Sequence, residues 1–254
     1  MSVGNIEITS LCHSFGDGHQ RLEVLRNIDL SIYAGQFIAL LGTSGCGKTT
    51  LLDILSGLTE VQSGQVKLSG ENPAAGRQDV ARMFARDALM PWLTAEENVS
   101  FALATRVKDR AERKNLIFKL LNDVGLEGFQ NKYPSELSQG MRQRVALART
   151  FSIVDRFLLL DEPFGALDAI TKVTLQSLLT RLWVEMGNTT VVLVTHDISE
   201  SVALADRIII MSSRPGVILA DVEVPLPRPR DLTVLRETAE YHALVAQLWG
   251  KLQN

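Results

Sequence analysis

Gly42-Thr43-Ser44-Gly45-Cys46-Gly47-Lys48-Thr49 decides the fold. The stretch fits the phosphate-binding loop pattern G-x-x-x-x-G-K-[ST]. An apolar run at 37–41 precedes it and reads as a buried strand. Leu51, Leu52, Ile54, Leu55 and Leu58 follow at helical spacing, which predicts a helix over 49–58. Strand, glycine loop and helix are the context the pattern needs. Glycines let the backbone approach an anion closely, and the helix start offers unpaired N–H groups and a partial positive charge. Gly42 to Thr49, with Thr50 beside them, are the candidate nucleotide-binding residues. Lys48 is expected to reach the β- and γ-phosphates of a nucleoside triphosphate, and Thr49 to hold Mg²⁺.

The rest of the composition narrows the class. The chain has 254 residues, 46% of them hydrophobic, enough for one large α/β domain with an inserted subdomain. A net charge of −3 argues against a dedicated nucleic-acid binder, which carries a basic excess. Cys12 and Cys46 stand far apart, one of them inside the phosphate loop, so a reducing compartment fits better than a disulfide framework. Met1-Ser2-Val3-Gly4 lacks the basic and apolar segments of a signal peptide, and no apolar run approaches the ~20 residues that span a bilayer. Any work at a membrane is expected to go through a partner.

Upstream of the loop, 3–11 and 22–32 read as strands, with a turn at His13 to Gly18 between them. Phe15 in that turn is either packing filler or a platform for a purine base. Downstream, a short strand lies within 63–70, a surface loop at 71–80 and a buried strand at 80–84. Leu89-Met90-Pro91-Trp92-Leu93 is apolar and broken by proline, and Thr94 with Glu96 and Glu97 looks like a helix start. Trp92 is either core or an anchor for a partner. Helical patterns run through 95–105, 109–124 and 139–151 without a strand among them.

Phe157-Leu158-Leu159-Leu160 then ends in Asp161 and Glu162. In a phosphate-loop protein, a buried strand ending in two acids points to Asp161 completing the Mg²⁺ shell and Glu162 polarising a water. A helix at 171–187 leads to a strand at 189–194. His196 follows it at the strand end, where nucleotide sites gather in parallel sheets. Strands at 208–211 and 217–224 are expected to pair around the Arg214-Pro215-Gly216 turn. Pro225-Leu226-Pro227-Arg228-Pro229-Arg230 is a stiff boundary. Beyond it, Tyr241, Leu244, Val245, Leu248, Trp249 and Leu252 form one face of an amphipathic helix, expected to pack on the chain's own core.

Leu137-Ser138-Gln139-Gly140-Met141 and the Arg-Gln-Arg run after it resemble the signature motif of ABC-type ATPases. Ser138 stands just before a helix, where its hydroxyl and the first N–H groups make a second anion site. The resemblance covers essentially the whole chain. It implies an α/β phosphate-loop NTPase (RecA-like) core with an antiparallel β edge, an inserted helical subdomain and a short C-terminal helical extension. The expected division is 1–85 with 156–224 for the ATP-binding core, 86–155 for the signature subdomain and 225–254 for the extension.

In this family two cassettes pack head to tail. Each ATP lies between one phosphate loop and the signature residues of the second copy, here Ser138 and Gly140. By resemblance Phe15 stacks on adenine, Glu162 is the catalytic base, Asp168 lies in the loop that crosses the dimer interface, and His196 contacts the γ-phosphate. Leu-Met-Pro-Trp-Leu at 89–93, Asp-Glu-Pro-Phe-Gly-Ala-Leu-Asp-Ala at 161–169 and Pro-Leu-Pro-Arg-Pro-Arg at 225–230 are similar to the nitrate, sulfonate and taurine group of bacterial importers. That implies a transmembrane permease contacting Leu89 to Thr94, a solute-binding protein engaged indirectly, and a place on the cytoplasmic face of the inner membrane. Two positions depart from the family. Ala85 stands where a glutamine joins Mg²⁺ and the attacking water to the permease interface, and Gln139 replaces the first signature glycine. Ala85 motivates a second reading, a dimerising or regulatory cassette with weak hydrolysis. A soluble ABC ATPase of DNA repair or translation would carry a basic excess, a tandem cassette or a long coiled-coil insertion, which this chain lacks.

Overall fold

The phosphate-loop strand runs through the middle of a parallel sheet. In the computed structural model, which describes residues 5–16 and 21–252, the elements are β1 (Ile6–Phe15), β2 (Leu22–Ile32), β3 (Phe37–Gly42), α1 (Lys48–Leu55), β4 (Ser63–Leu68), β5 (Val80–Met83), α2 (Ala95–Leu103), α3 (Arg110–Asp123), α4 (Gln139–Phe151), β6 (Phe157–Asp161), α5 (Ala169–Met186), β7 (Thr190–Thr195), α6 (Ile198–Leu204), β8 (Arg207–Met211), β9 (Ile218–Glu223), α7 (Leu232–Leu235) and α8 (Ala239–Leu252). The main sheet has the order β5-β6-β7-β3-β8-β9, parallel through β8, with β9 added antiparallel at the edge. A second, antiparallel sheet has the order β2-β1-β4.

The inner strands β3, β6, β7 and β8 are buried at nearly every position because both faces are covered. Side chains alternate between the faces. Ile38, Leu40, Phe157, Leu159, Val192 and Val194 point into one core, shared with α1 and the antiparallel sheet. Phe37, Ala39, Leu41, Leu158, Leu160, Val191 and Leu193 point into the other, shared with the remaining helices. Each fully buried side chain of this kind stabilises the fold by about 1.5–3 kcal/mol.

Register places the functional ends. Leu41 pairs with Thr195 and Gly42 with Met211, while Asp161 pairs with Val194. The C-terminal ends of β3, β6 and β7 therefore share one rim, where α/β sheets bind ligands.

Some expectations need correction. β1 continues through His13 and Ser14 to Phe15, so these residues lie in a strand rather than a turn. Register shifts after Ile8, Leu11 and His13 break the alternation that would have announced it. Asp17 and Gly18 of the expected turn, and Met1 to Gly4, lie outside the described residues. α1 stops at Leu55 instead of Leu58, because the chain turns through Gly57 at φ 73°. On α8, Tyr241 and Leu248 are buried and Leu244, Val245 and Leu252 pack on the core, whereas Trp249 is 58% exposed. The short α7 escaped the periodicity reading because it has too few residues to show one. Among the described residues no helix is long and apolar enough to cross a membrane.

Candidate functional site

The phosphate loop is held by its own lysine and by the antiparallel sheet. Lys48 Nζ donates to the carbonyls of Gly42 at 2.7 Å and Thr43 at 2.9 Å, and the side chain is buried. Gly47 caps α1 at φ 100°, and a Cβ there would lie 2.7 Å from Leu25 Cδ2. Glycine is required at this point both for the backbone angle and for the space. Thr43, Ser44 and Gly45 are exposed, while Cys46 is buried beneath them. A cavity of about 240 Å³ opens beside the loop, lined by Phe15, Val24, Lys48, Thr49, Thr50 and Arg214 among others. Phe15 stands at its edge, 49% exposed, in edge contact with His13 at 4.8 Å between ring centres.

Asp161 ends β6 and is almost fully buried. Burial pushes its carboxyl above the usual range, opposed by a hydrogen bond from the Thr49 hydroxyl and by the nearby Arg82 guanidinium. Arg82 is itself held by Asp53 at 2.7 Å and by Ser56 Oγ at 2.7 Å. Thr49 and Asp161 are thus adjacent oxygen donors. Among the described residues no group of three or more His, Cys, Asp or Glu could hold a metal ion. Two protein oxygens completed by phosphate oxygens and water are the way Mg²⁺ is commonly held, so this pair fits the ion.

Glu162 has φ 46°, a left-handed backbone that a non-glycine residue adopts only when its surroundings enforce it. Its N–H donates to Val194 O at 3.0 Å, and its Oε1 lies 3.2 Å from His196 Nδ1. The turn is also fixed from α4. Gln143 Nε2 donates to Glu162 O at 3.1 Å, and Ala166 N donates to Gln143 Oε1 at 3.1 Å. Sequence reasoning missed Gln143, because an Arg-Gln-Arg run reads as a solvated helix face. In the fold Gln143 is buried.

The structure brings Phe15, Gly45, Lys48, Thr49, Thr50 and Glu162 around one cavity. Ser138, Gly140 and Asp168 do not line it. Ser138 caps α4 by accepting from Met141 N at 3.2 Å, and Asp168 caps α5 by accepting from Thr171 N at 3.0 Å. The Thr171 hydrogen bonds hold the Asp168 carboxyl below its usual range. A second cleft of about 600 Å³ joins Ala85, Arg86, Gln139, Glu162, Gly165 and His196. Glu162 lines both spaces.

Beyond Ala85 the chain is pinned to α4 and α2 by side chains. Asp87 pairs with Arg142 at 2.8 Å, and Arg149 donates to the carbonyls of Ala88 at 2.8 Å and Asp87 at 3.0 Å. Asn98 Nδ2 donates to the carbonyls of Met90, Leu93 and Thr94. Thr94 and Glu97 close a reciprocal capping box on α2. Trp92 stands out of this frame, 71% exposed.

Known proteins are similar to this chain in sequence and fold. A family model described as ABC transporter matches residues 25–165. The aliphatic sulfonates import ATP-binding protein SsuB of Pseudomonas entomophila is 47% identical over 209 residues, covering 82% of this chain and 74% of that protein. The nitrate import ATP-binding protein NrtC of Synechococcus elongatus is 41% identical over 233 residues, covering 91% of this chain and 35% of NrtC, so the chain spans about a third of that protein's length. A solved dimeric structure of the ATP-binding cassette MJ0796, in a post-hydrolysis state bound to ADP and Pi, has a TM-score of 0.80 at 30% identity, covering 87% of this chain and all of the other.

Proposed function

The chain belongs to the ABC transporter family, and from that premise we propose that it is the ATP-hydrolysing subunit of an importer for a small solute of the nitrate, sulfonate or taurine kind. The observation that carries the reading is the meeting of Lys48, Thr49, Asp161, Glu162 and His196 on one rim of the parallel sheet. Phosphoryl transfer to water is mostly positioning and charge neutralisation. Lys48 leaves its loop carbonyls for the phosphates, and the N–H groups from Gly45 to Thr50 surround them. Phe15 offers its exposed ring to the base. Thr49 and Asp161 would hold Mg²⁺, which when bound neutralises phosphate charge. Glu162 takes the proton of the attacking water, and His196, within reach of the same carboxylate, contacts the γ-phosphate.

In this reading two copies pack head to tail, and Ser138 and Gly140 of the second copy close the site, with Asp168 at the crossing. The core is 1–85 with 156–224, the signature subdomain is 86–155 and the extension is 225–254. A permease seats near Leu89 to Thr94, around Trp92, and a solute-binding protein acts through it. The subunit works peripherally on the cytoplasmic face of the inner membrane. The direct test is steady-state ATP hydrolysis by Glu162→Gln, expected to fall about 100-fold while ATP binding persists. Turnover at the parent rate would remove Glu162 from its role. The solute that stimulates hydrolysis in the purified membrane complex identifies the cargo.

Ala85 supports a second reading. It lines the cleft with Glu162 and His196 but offers only a methyl group there. A cassette that uses ATP to hold the dimer, with little turnover, follows from it. Ala85→Gln should raise hydrolysis with the permease present if the missing amide limits turnover. An unchanged rate assigns no such limit to Ala85.

A further inference from the structure

We infer that Arg214, on the turn between β8 and β9, is a polyphosphate-binding residue of the nucleotide site. The inference rests on the nucleotide-binding reading above and extends it to a residue that reading does not use. Arg214 Nε donates to Gly45 O at 3.3 Å, and its Nη2 lies 3.4 Å from where a Cβ on Gly45 would stand. The guanidinium therefore sits against the exposed bend of the phosphate loop and lines the same cavity as Phe15, Lys48, Thr49 and Thr50.

Its position is fixed by backbone. Gly216 N donates to Val24 O at 2.8 Å, and Arg26 N donates to Gly216 O at 3.0 Å. A Cβ on Gly216 would fall 2.1 Å from Cys46 O, so the turn is wedged directly against the loop. Ser212 Oγ braces it from inside, donating to Pro215 O and accepting from Val217 N, both at 2.9 Å.

The charge of Arg214 is also uncommitted. Arg26, Arg77, Arg82, Arg142, Arg207 and Arg228 each have a carboxylate partner. Among the described residues Arg214 has none, only the long hydrogen bond to a neutral carbonyl. The carboxylate lining the cavity, Glu162, faces His196. A guanidinium presents a planar fork of donors that matches phosphate oxygens, and charge-assisted bonds of that kind exceed a bond to a carbonyl in strength. The ligand class is a nucleoside di- or triphosphate, held from the side of the β8–β9 turn.

The test compares the full chain with Arg214→Gln and Arg214→Lys, measuring affinities for ATP, ADP and adenosine. Arg214→Gln should weaken ATP and ADP about tenfold or more while leaving adenosine unchanged. Arg214→Lys should fall between, since it restores charge without the fork. ATP affinity for Arg214→Gln within about twofold of the parent overturns the inference. Equal weakening of adenosine also overturns it, because the substitution would then act through the turn and not through phosphate. A parent chain that binds neither ATP nor ADP overturns the nucleotide reading itself. A parent that binds both, with Arg214→Gln unchanged, overturns only the role of Arg214.

Discussion

The phosphate loop and the 84–94 segment both follow strands of the same sheet, yet they are built in opposite ways. The loop follows β3, which has a strand on either side, and it turns back beneath the antiparallel sheet. Cys46, Gly47 and Lys48 are buried, and Val24, Leu25 and Gly216 crowd the backbone from outside. The 84–94 segment follows β5, the edge strand. Phe84, Ala85 and Arg86 are exposed, and the segment is held by side chains reaching from α2 and α4. The difference lies in how each part is held, by packed backbone in the loop and by reaching side chains in the segment. A phosphate cradle needs N–H groups fixed in advance, which requires packed backbone. The 84–94 segment carries an exposed Trp92 on a base held by the Asn98 bonds, which suits the permease contact proposed above.

The largest effect that would break the comparison is on the loop side. Lys48→Ala should lower hydrolysis about 100-fold or more, measured as steady-state ATPase at saturating Mg²⁺. A mild effect would mean that the buried ammonium only braces Gly42 and Thr43. On the other side, Trp92→Ala should weaken association with the permease by about 2 kcal/mol, read by titration of the detergent-solubilised permease. The soluble ATPase rate and Tm should stay at the parent values. Loss of stability with Trp92→Ala would show that the side chain serves the fold rather than a partner.

Stability sharpens the same contrast. Gly216→Ala places a Cβ against Cys46 O and should cost about 1–3 kcal/mol, seen as a lower Tm by calorimetry. Ala85→Gln, on the exposed segment, should change stability by less than about 0.5 kcal/mol in the same measurement. Comparable losses from the two would place the 84–94 segment in the packed frame.

Legibility followed the same divide. β3, β6, β7 and β8 were readable because burial on both faces leaves short apolar runs, bounded by glycine or polar residues. α2 and α4 were readable from Thr94 and Ser138, whose capping is local chemistry. β1 was misjudged beyond residue 11, since its bulges depend on β2 and β4, which lie elsewhere in the chain. In the site, Lys48 and Thr49 announced themselves by the phosphate-loop pattern, and Asp161 and Glu162 by standing at a strand end. Gln143 and Arg214 did not, because each acts on a turn far from it in sequence.

The sequence alone determined the phosphate loop, the acidic strand end and the alternation of strands and helices, because each depends on neighbours within a few residues. Only the tertiary structure decided which of these meet. Parallel pairing of β6, β7 and β3 brings Glu162 to His196 and Asp161 to Thr49. The β8–β9 turn presses Gly216 against Cys46 and sets Arg214 beside Gly45. These contacts arise from register and close packing between distant segments, and a linear pattern of residues does not encode their distances.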